Sequence, residues 1–164
     1  MTIHHTMSFP HPPDALAELL CSERYAQRTQ KEREDVIDMA YEQTGETDDQ
    51  LTFTVHLTTY GRSKTGKLNR GRTEKSRVLY RYDKGARDLH WRHQGEEGDR
   101  VDVHGVTRFR AKGDGTRVER DVDISVKIPL VGRAIEKIIE RKFREGFSRI
   151  ERQIAELLEE DAVD

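Results

Sequence analysis

Four ionisable side chains occupy strand faces that the surrounding sequence makes apolar. His5, Asp35, His93 and Arg120 each have an apolar residue two positions away along a predicted strand, where side chains point to the same face. Burying such a group without a partner costs several kcal/mol, so each one is paired, peripheral, or in contact with a ligand or water. Arg120 carries a planar fork of donors that suits a carboxylate or a phosphate. We hypothesise that Arg120 and His5 orient an anionic or oxygenated apolar ligand.

One segment imitates a phosphate-binding loop. The stretch from Gly61 to Lys67 has the glycine and lysine spacing of such loops. Such a loop also requires a hydroxyl residue directly after the lysine and a helix that begins there. Here Leu68 follows Lys67, and residues 69–72 do not favour a helix. Its cations could attract phosphates, an anionic lipid headgroup or RNA, but aromatic residues for base stacking are absent apart from Tyr60. We predict a charged, solvated hairpin loop at the mouth of a cavity, and no nucleic-acid partner.

The residues that could bind a metal or act as a nucleophile form no recognised motif. Neighbouring histidines such as His90 and His93 fall on opposite faces of a strand. A His-x-x-x-His pair is missing, and the single cysteine gives no Cys-x-x-Cys. The sequence has no Gly-x-Ser-x-Gly elbow, and Cys21 lies on a helix face where it is expected to pack. We therefore predict no metal, no cofactor and no catalytic nucleophile.

The composition indicates one densely charged domain. The 164 residues are 34% hydrophobic and 37% charged, with 29 basic and 31 acidic side chains and a net charge of −2. This balance disfavours a protein-wide surface for nucleic acid or acidic membrane. A single cysteine excludes an internal disulfide, no apolar run approaches the roughly 20 residues that span a bilayer, and the first residues lack a signal-peptide pattern. We expect a single domain over residues 1–160, an acidic tail at 161–164, a cytoplasmic location and no stable membrane insertion. Transient membrane contact and the oligomeric state stay open.

Periodic patterns predict the elements that must position these residues. Alternation over residues 3–9 predicts a strand that Pro10 ends, and two short helices follow. Alternation between residues 34 and 128 predicts about six more strands joined by short turns. From Val131 to Leu158 apolar residues recur at helical spacing, which predicts one amphipathic helix roughly 42 Å long. The predicted fold class is α+β: a curved antiparallel β-sheet of about six or seven strands that grips a long C-terminal α-helix, with two short helices after the first strand.

Two segments carry a resemblance to a known superfamily. The stretch from Phe9 to Tyr25, where a strand ends in a proline-bearing turn and a short helix leads to an aromatic residue, is similar to the usual start of the START-like fold. This helix-grip architecture is shared by lipid-transfer domains, polyketide cyclases and the birch-pollen allergen family. The segment from Val126 to Glu136 closely resembles a bacterial family of uncharacterised START-like proteins. The resemblance implies a hydrophobic cavity between sheet and helix, and it supplies no ligand or catalytic residues.

Candidate ligand-binding residues are the polar and aromatic side chains expected to face that cavity. Gly146 is included because a glycine inside a helix costs roughly 1 kcal/mol relative to alanine, so its presence indicates close packing on the sheet or a local bend. The large aromatic side chains are expected in the core or in the cavity wall. The full set is His5, Tyr41, Tyr80, Trp91, His93, Arg120, Phe143, Gly146 and Phe147.

Three functions fit this fold, and the sequence leaves the choice open. The first is the binding or transport of a hydrophobic small molecule, such as a lipid, fatty acid, isoprenoid or aromatic compound, driven by desolvation of the pocket. The second is a cyclase or dehydratase in which one or two of His5, Asp35, Tyr80 and His93 move protons. The third is a co-chaperone-like protein-interaction module whose pocket is filled by side chains. The first is preferred, with no catalytic residue assigned.

Overall fold

Seven antiparallel strands and three α-helices make up the structure, a computed structural model that describes residues 1–163 and the side chains of residues 1–162. The predicted α+β class is confirmed, including the two short helices after the first strand and the long C-terminal helix. Residues 161–163 lie in the last turn of that helix, and the end of the predicted acidic tail, Asp164, lies outside the described residues. The elements are β1 (Thr2–Phe9), α1 (Pro13–Leu20), α2 (Glu23–Lys31), β2 (Val36–Glu46), β3 (Gln50–Arg62), β4 (Leu68–Asp83), β5 (Asp88–Gln94), β6 (Val101–Lys112), β7 (Gly115–Val126) and α3 (Gly132–Val163), with a short 3₁₀ turn at Gly98–Arg100.

The strand order places the first strand beside the last. The sheet runs β1-β7-β6-β5-β4-β3-β2, so β2 to β7 form a meander and β1 pairs with β7. Helices α1 and α2 therefore carry the chain from one edge of the sheet to the other, packing on β6, β7 and β2 as they cross. The ladder pairs His5 with Arg120 and Arg120 with Thr107. Because directly paired residues point to the same face, three polar side chains lie side by side on the inner face.

The core consists of two apolar clusters under the two halves of α3. The C-terminal half packs tightly, and Ile154 and Leu157 are fully buried there. Under the N-terminal half the helix side chains Ile139, Phe143 and Phe147 pack on the sheet but stay half-buried. The first cluster contains Met7, Phe9, Leu16, Leu19, Leu20, Phe53, Val55, Leu57, Phe109, Val118, Ile154, Leu157 and Leu158, and the second contains Ile3, Val103, Val122 and Ile124.

Ion pairs fix the C-terminal half of α3 to α2. Arg28 on α2 bonds to Glu156 at 3.3 Å and to Glu160 at 2.6 Å. Arg152 on α3 reaches back to Glu32, just beyond the end of α2, at 2.8 Å. Exposed pairs of this kind contribute at most about 1 kcal/mol each. Several together fix how the two helices cross.

The N-terminal end of α3 is tied to the last strand. The Gly132 amide donates to the carbonyl of Ile128 at 2.9 Å, and the Val126 amide donates to the Glu136 carboxylate at 3.0 Å. A Cβ atom at Gly132 would lie 2.6 Å from the carbonyl oxygen of Val126, so a glycine is needed for this close approach. The long helix is therefore anchored at both of its ends.

Candidate ligand-binding groove

Half-buried apolar side chains line the junction between the N-terminal half of α3 and the inner face of the sheet, and we call this junction the groove. The helix packs mainly on β7, β1 and α2 and makes few contacts with β4 and β5. Trp91 on β5 faces Phe143 on α3, with ring centroids 6.1 Å apart. The apolar and aromatic side chains that stay half-buried on the two facing surfaces are Met39, Tyr41, Val78, Tyr80, Trp91 and Val101 from the sheet, and Ile135, Ile138, Ile139, Phe143 and Phe147 from the helix.

The position of Trp91 depends on a glycine in the neighbouring strand. Gly105 is paired with Trp91 across the β5–β6 ladder. A Cβ atom at Gly105 would lie 2.8 Å from the indole Cζ2 and 2.3 Å from the carbonyl oxygen of Asp121. The missing side chain therefore lets the indole lie across β6 and form part of the groove floor.

Stacked aromatic rings continue the inner face across β4, β3 and β2, where they pack in the first apolar cluster. Phe53 lies between Tyr80, at a centroid distance of 4.5 Å, and Tyr41, at 5.3 Å. The Tyr41 hydroxyl donates to the carbonyl of Cys21 at 2.7 Å, so it holds the end of α1 against β2. Burial raises the pKa of the Cys21 thiol to about 12, which leaves no thiolate for catalysis at neutral pH.

A polar seam separates the two apolar clusters, and His5 and Arg120 form it. The His5 imidazole stacks on Phe147 with centroids 4.0 Å apart and planes 7° from parallel. Its Nδ1 atom is buried without a hydrogen-bond partner, as is the Nη1 atom of Arg120 on the paired strand. Burial first, and the Arg120 charge second, lower the pKa of His5, so the ring is neutral at neutral pH. Among the described side chains, no carboxylate lies within 4.0 Å of the Arg120 guanidinium.

Two tyrosines adjoin this seam, and one of them comes from a helix. Burial raises the pKa of Tyr80, while the charges of Arg120 and Arg33 oppose that rise. Burial also raises the pKa of Tyr25 on α2, against the same Arg120 charge. Both phenols therefore stay protonated and available as donors. Tyr25 and Arg33 were not among the predicted site residues, because nothing in the local sequence indicates that α2 and the residues after it approach Arg120 and Tyr80.

A second stripe on α3 faces the side of the groove and is polar. Lys142, Gly146, Arg149 and Gln153 recur at spacings of four, three and four, a helical periodicity that could have revealed them. The Arg149 Nε atom and both amide atoms of the fully buried Gln153 lack hydrogen-bond partners. Gln153 helps Arg152 to lower the pKa of Glu32, so its amide lies near that carboxylate without forming a hydrogen bond of good geometry.

Gly146 makes room for a side chain of this polar stripe and takes no part in the contact between helix and sheet. A Cβ atom there would lie 3.3 Å from Nη2 of Arg149, and no sheet atom comes within 4 Å of it. The predicted close approach to the sheet is therefore absent at this residue. The glycine instead leaves room for the Arg149 guanidinium to fold back along the helix.

Asp35 does not lie on the apolar face where the alternation places it. The β2–β3 ladder has an irregularity between Val36 and Asp38, which shifts the alternation and leaves Ile37 45% exposed. Asp35 itself precedes the strand and is 8% exposed. Its carboxylate accepts two bonds from Arg33, at 3.0 and 2.9 Å, and lies 3.4 Å from Arg62.

Arg33 and Arg62 explain the low pKa of Asp35 and its structural role. Although burial alone would raise the pKa of Asp35, the two guanidinium groups hold it below its usual value. The carboxylate is therefore ionised and fully engaged. Asp35 acts as a structural anchor beside the groove, and its two arginine partners disfavour a role in proton transfer.

The remaining predicted histidine, His93, lies on the groove side of β5 next to the mouth. Burial and the charge of Arg33 lower its pKa, and the exposed Glu97 carboxylate opposes them. His93 pairs with Val78 and Val103 in the ladder, well away from the row that contains His5. The structure therefore does not bring the two histidines together as one acid–base pair.

The basic loop between β3 and β4 rests on the helix. A Cβ atom at Gly66, whose φ is +84°, would lie 3.0 Å from the Cγ2 atom of Ile138. Leu68 begins strand β4 instead of a helix, so the loop lacks the helix terminus that a phosphate-binding loop requires. The segment packs on α3 at one side of the groove, and its place at the mouth of a cavity stays a prediction.

Other surface features do not compete with the groove as a site. Two recesses, of about 240 and 340 Å³, lie around His56, Lys75 and Ser76 on the outer face of the sheet, opposite the groove. The unpartnered buried polar atoms of the described residues lie on β1, β7 and α3 and none of them lines these recesses, so we favour the inner groove. Within the described part of the chain, no three His, Cys, Asp or Glu side chains are placed to hold a metal ion. None of the helices in residues 1–163 combines the length and apolar character that crossing a membrane requires.

Known proteins resemble this chain in fold. Protein TTHA0849 from Thermus thermophilus is 15% identical, with a TM-score of 0.63 over 96% of this chain and 99% of its own. The Zhui aromatase/cyclase from Streptomyces sp. R1128 is 13% identical, with a TM-score of 0.62 over 94% and 93%. A START superfamily protein from Mycobacterium smegmatis is 13% identical, with a TM-score of 0.59 over 95% and 98%. At these identities the likeness shows the fold alone.

The sequence itself has one family match. No curated protein matches the chain. A family model described as "Protein of unknown function (DUF2505)" matches residues 72–158, just over half of the chain and the part that runs from β4 into α3. The chain therefore belongs to this family of proteins of unknown function and has the START-like helix-grip fold.

Proposed function

We propose that the groove binds a small apolar molecule and holds it between the sheet and α3. The observation that carries this proposal is the pair of adjoining apolar surfaces that stay half-buried and meet where Trp91 packs on Phe143. Covering such surface favours uptake by about 25 cal/mol per Å². A ligand that removes about 200 Å² from water therefore gains roughly 5 kcal/mol before the cost of immobilising it. The fold relatives, an aromatase/cyclase among them, support the proposal only at the level of fold.

The role we favour is binding or transport in the cytoplasm, with the lipids, fatty acids, isoprenoids and aromatic compounds as the ligand class. The single free thiol supports a reducing location. A cyclase or dehydratase is the second candidate, because the neutral His5 presents an unpartnered Nδ1 atom that could accept a proton. The protein-interaction alternative has less support. Leu130 and Val131 are the adjacent pair among the exposed large apolar residues, which is a small patch.

Uptake of the neutral probe N-phenyl-1-naphthylamine tests the proposal. Trp91 is the single tryptophan of the chain and lies in the groove, so energy transfer from it reports probe bound there. Val78→Phe fills the groove from the inner face of β4, and Arg77→Phe adds the same side chain to the outer face of that strand. We expect Val78→Phe to weaken probe binding by about tenfold or more, since a filled pocket loses about 1.4 kcal/mol of burial or more. Equal binding by both variants would refute the groove as the site.

A further inference from the structure

We infer that the ligand carries an anionic group, a carboxylate or another small oxyanion, and that Arg120 binds it at the closed end of the groove. The inference rests on the proposed function, because it names the chemical class of the molecule that the groove takes. It is carried by the state of one guanidinium group and by the chemistry of the side chains around it.

Arg120 is a permanent cation, and the described side chains provide no hydrogen-bond acceptor for its Nη1 atom. Three other half-buried arginines are paired, Arg33 and Arg62 with Asp35 and Arg108 with Asp121 at 2.6 Å, whereas Arg149 shares with Arg120 a buried nitrogen that has no partner. The Nη1 atom of Arg120 is out of contact with solvent and has no acceptor. A guanidinium does not lose its proton in a protein, so it must find an acceptor from water or from a ligand.

The side chains around Arg120 offer donors and no negative charge. His5 is neutral, and Tyr25 and Tyr80 are held in the protonated form. An imidazole N–H and two phenol O–H groups can each donate to an oxyanion. The carboxylate that acts on His5, Glu151, is exposed and ranks after burial and Arg120 in its effect. A site with one unpaired guanidinium and several neutral donors favours an anion over a neutral or cationic group.

The side of the groove is also cationic. Asp35 is already shared by two arginines, and among the described side chains no carboxylate lies within 4.0 Å of Lys142 or Arg149. Burial and the charge of Arg62 lower the pKa of Lys142, as expected for a cation crowded by another cation. Cations along an apolar groove raise the local concentration of anions.

The position of Arg120 determines how the ligand lies. Its ladder row separates the tightly packed cluster under the C-terminal half of α3 from the half-buried cluster under the N-terminal half. An anionic group bound there leaves the apolar body of the ligand to extend along Trp91 and Phe143 towards the loop at Gly66. The ligand is therefore an amphipathic anion with its charged end innermost.

A matched pair of probes, decanoate and decan-1-ol, tests the inference at pH 8. Affinities are measured by Trp91 fluorescence and calorimetry for the wild type, Arg120→Gln and Arg120→Lys. Arg117→Gln removes the same charge from an exposed outer-face position of β7 and is the control. We expect the wild type to prefer decanoate by about tenfold or more, and Arg120→Gln to lose about tenfold to a hundredfold for decanoate alone. Arg120→Lys keeps the positive charge but lacks the planar fork of donors, so its affinity for decanoate should lie between those of the wild type and Arg120→Gln.

The outcomes separate the two proposals. Equal wild-type affinities for the acid and the alcohol would overturn the inference and leave the proposed function standing, even if the Arg120 variants did not fold. A wild-type preference that Arg120→Gln leaves intact would also overturn it. Binding of neither compound, together with no uptake of N-phenyl-1-naphthylamine, would refute the proposed function and the inference with it.

Discussion

Replacing Arg120 with methionine should stabilise the free protein. Methionine keeps a long apolar stem beside the two clusters and removes a guanidinium whose Nη1 atom is buried without a partner. An unsatisfied buried donor costs about 1–3 kcal/mol. Because Arg120 is only half-buried and the rest of its charge is partly hydrated, we take the lower part of that range. The expected gain in the free energy of unfolding is about 1–2 kcal/mol.

Urea unfolding followed by far-UV circular dichroism measures this gain, provided that the slope m is unchanged. Arg108→Met is the matched control, because it breaks the 2.6 Å pair with Asp121 on the outer face and should lose about 0.2–1 kcal/mol. A titration of His5 by NMR gives a second readout. Since the Arg120 charge lowers the pKa of His5, that pKa should rise in Arg120→Met. A variant destabilised by more than about 1 kcal/mol would show that the guanidinium is satisfied in the free protein, and the reasoning would fail.

Three further predictions concern glycines and a histidine. Gly105→Ala places a methyl group 2.3 Å from a backbone oxygen and should destabilise the fold by about 1–3 kcal/mol in urea unfolding, whereas Gly85→Ala, with nothing within 4 Å, should be nearly neutral. Gly146→Ala meets only the flexible end of Arg149 and should raise the free energy of unfolding by about 0.5–1 kcal/mol; a loss would show an unseen packing role. His93 has a pKa below 6.5 in the folded state, so the unfolded chain takes up its proton first and stability falls as the pH drops below about 6.5. Unfolding measured at pH 7, 6 and 5 should show a shallower fall in His93→Gln, and an identical fall would refute that assignment.

The periodic parts of the fold could be predicted because burial repeats along them. Strand β7 alternates between a charged outer face and the buried residues Val118, Val122 and Ile124, and a period of two identifies it without any knowledge of its partners. The long helix shows its apolar stripe in the same way, although its true end lies beyond Leu158. A pattern of this kind records which face is buried, not how tightly. That is why the half-buried state of Phe143 was not predictable.

The site was predictable only where a polar residue breaks an apolar series. Arg120 and His5 could be identified in this way, and the ladder pairs them. Tyr25 and Arg33 approach the seam because α2 crosses the inner face, which depends on contacts between residues far apart in sequence. The misplacement of Asp35 has a local cause, an irregular ladder that changes the alternation by one residue. Neither the crossing nor the irregularity leaves a signal in a single sequence.

Val126 fixes the start of α3, and α2 fixes its C-terminal half, so the helix is held in place at both ends. Lifting it would break the packing of Ile154 and Leu157, so the helix is the stiff side of the groove. The other side of the groove is the segment 63–67, which packs on Ile138. Ligand entry and exit therefore do not require global unfolding of the protein. Amide hydrogen exchange would then slow at residues 63–67 when the groove is filled, while exchange at residues 153–158 stays the same.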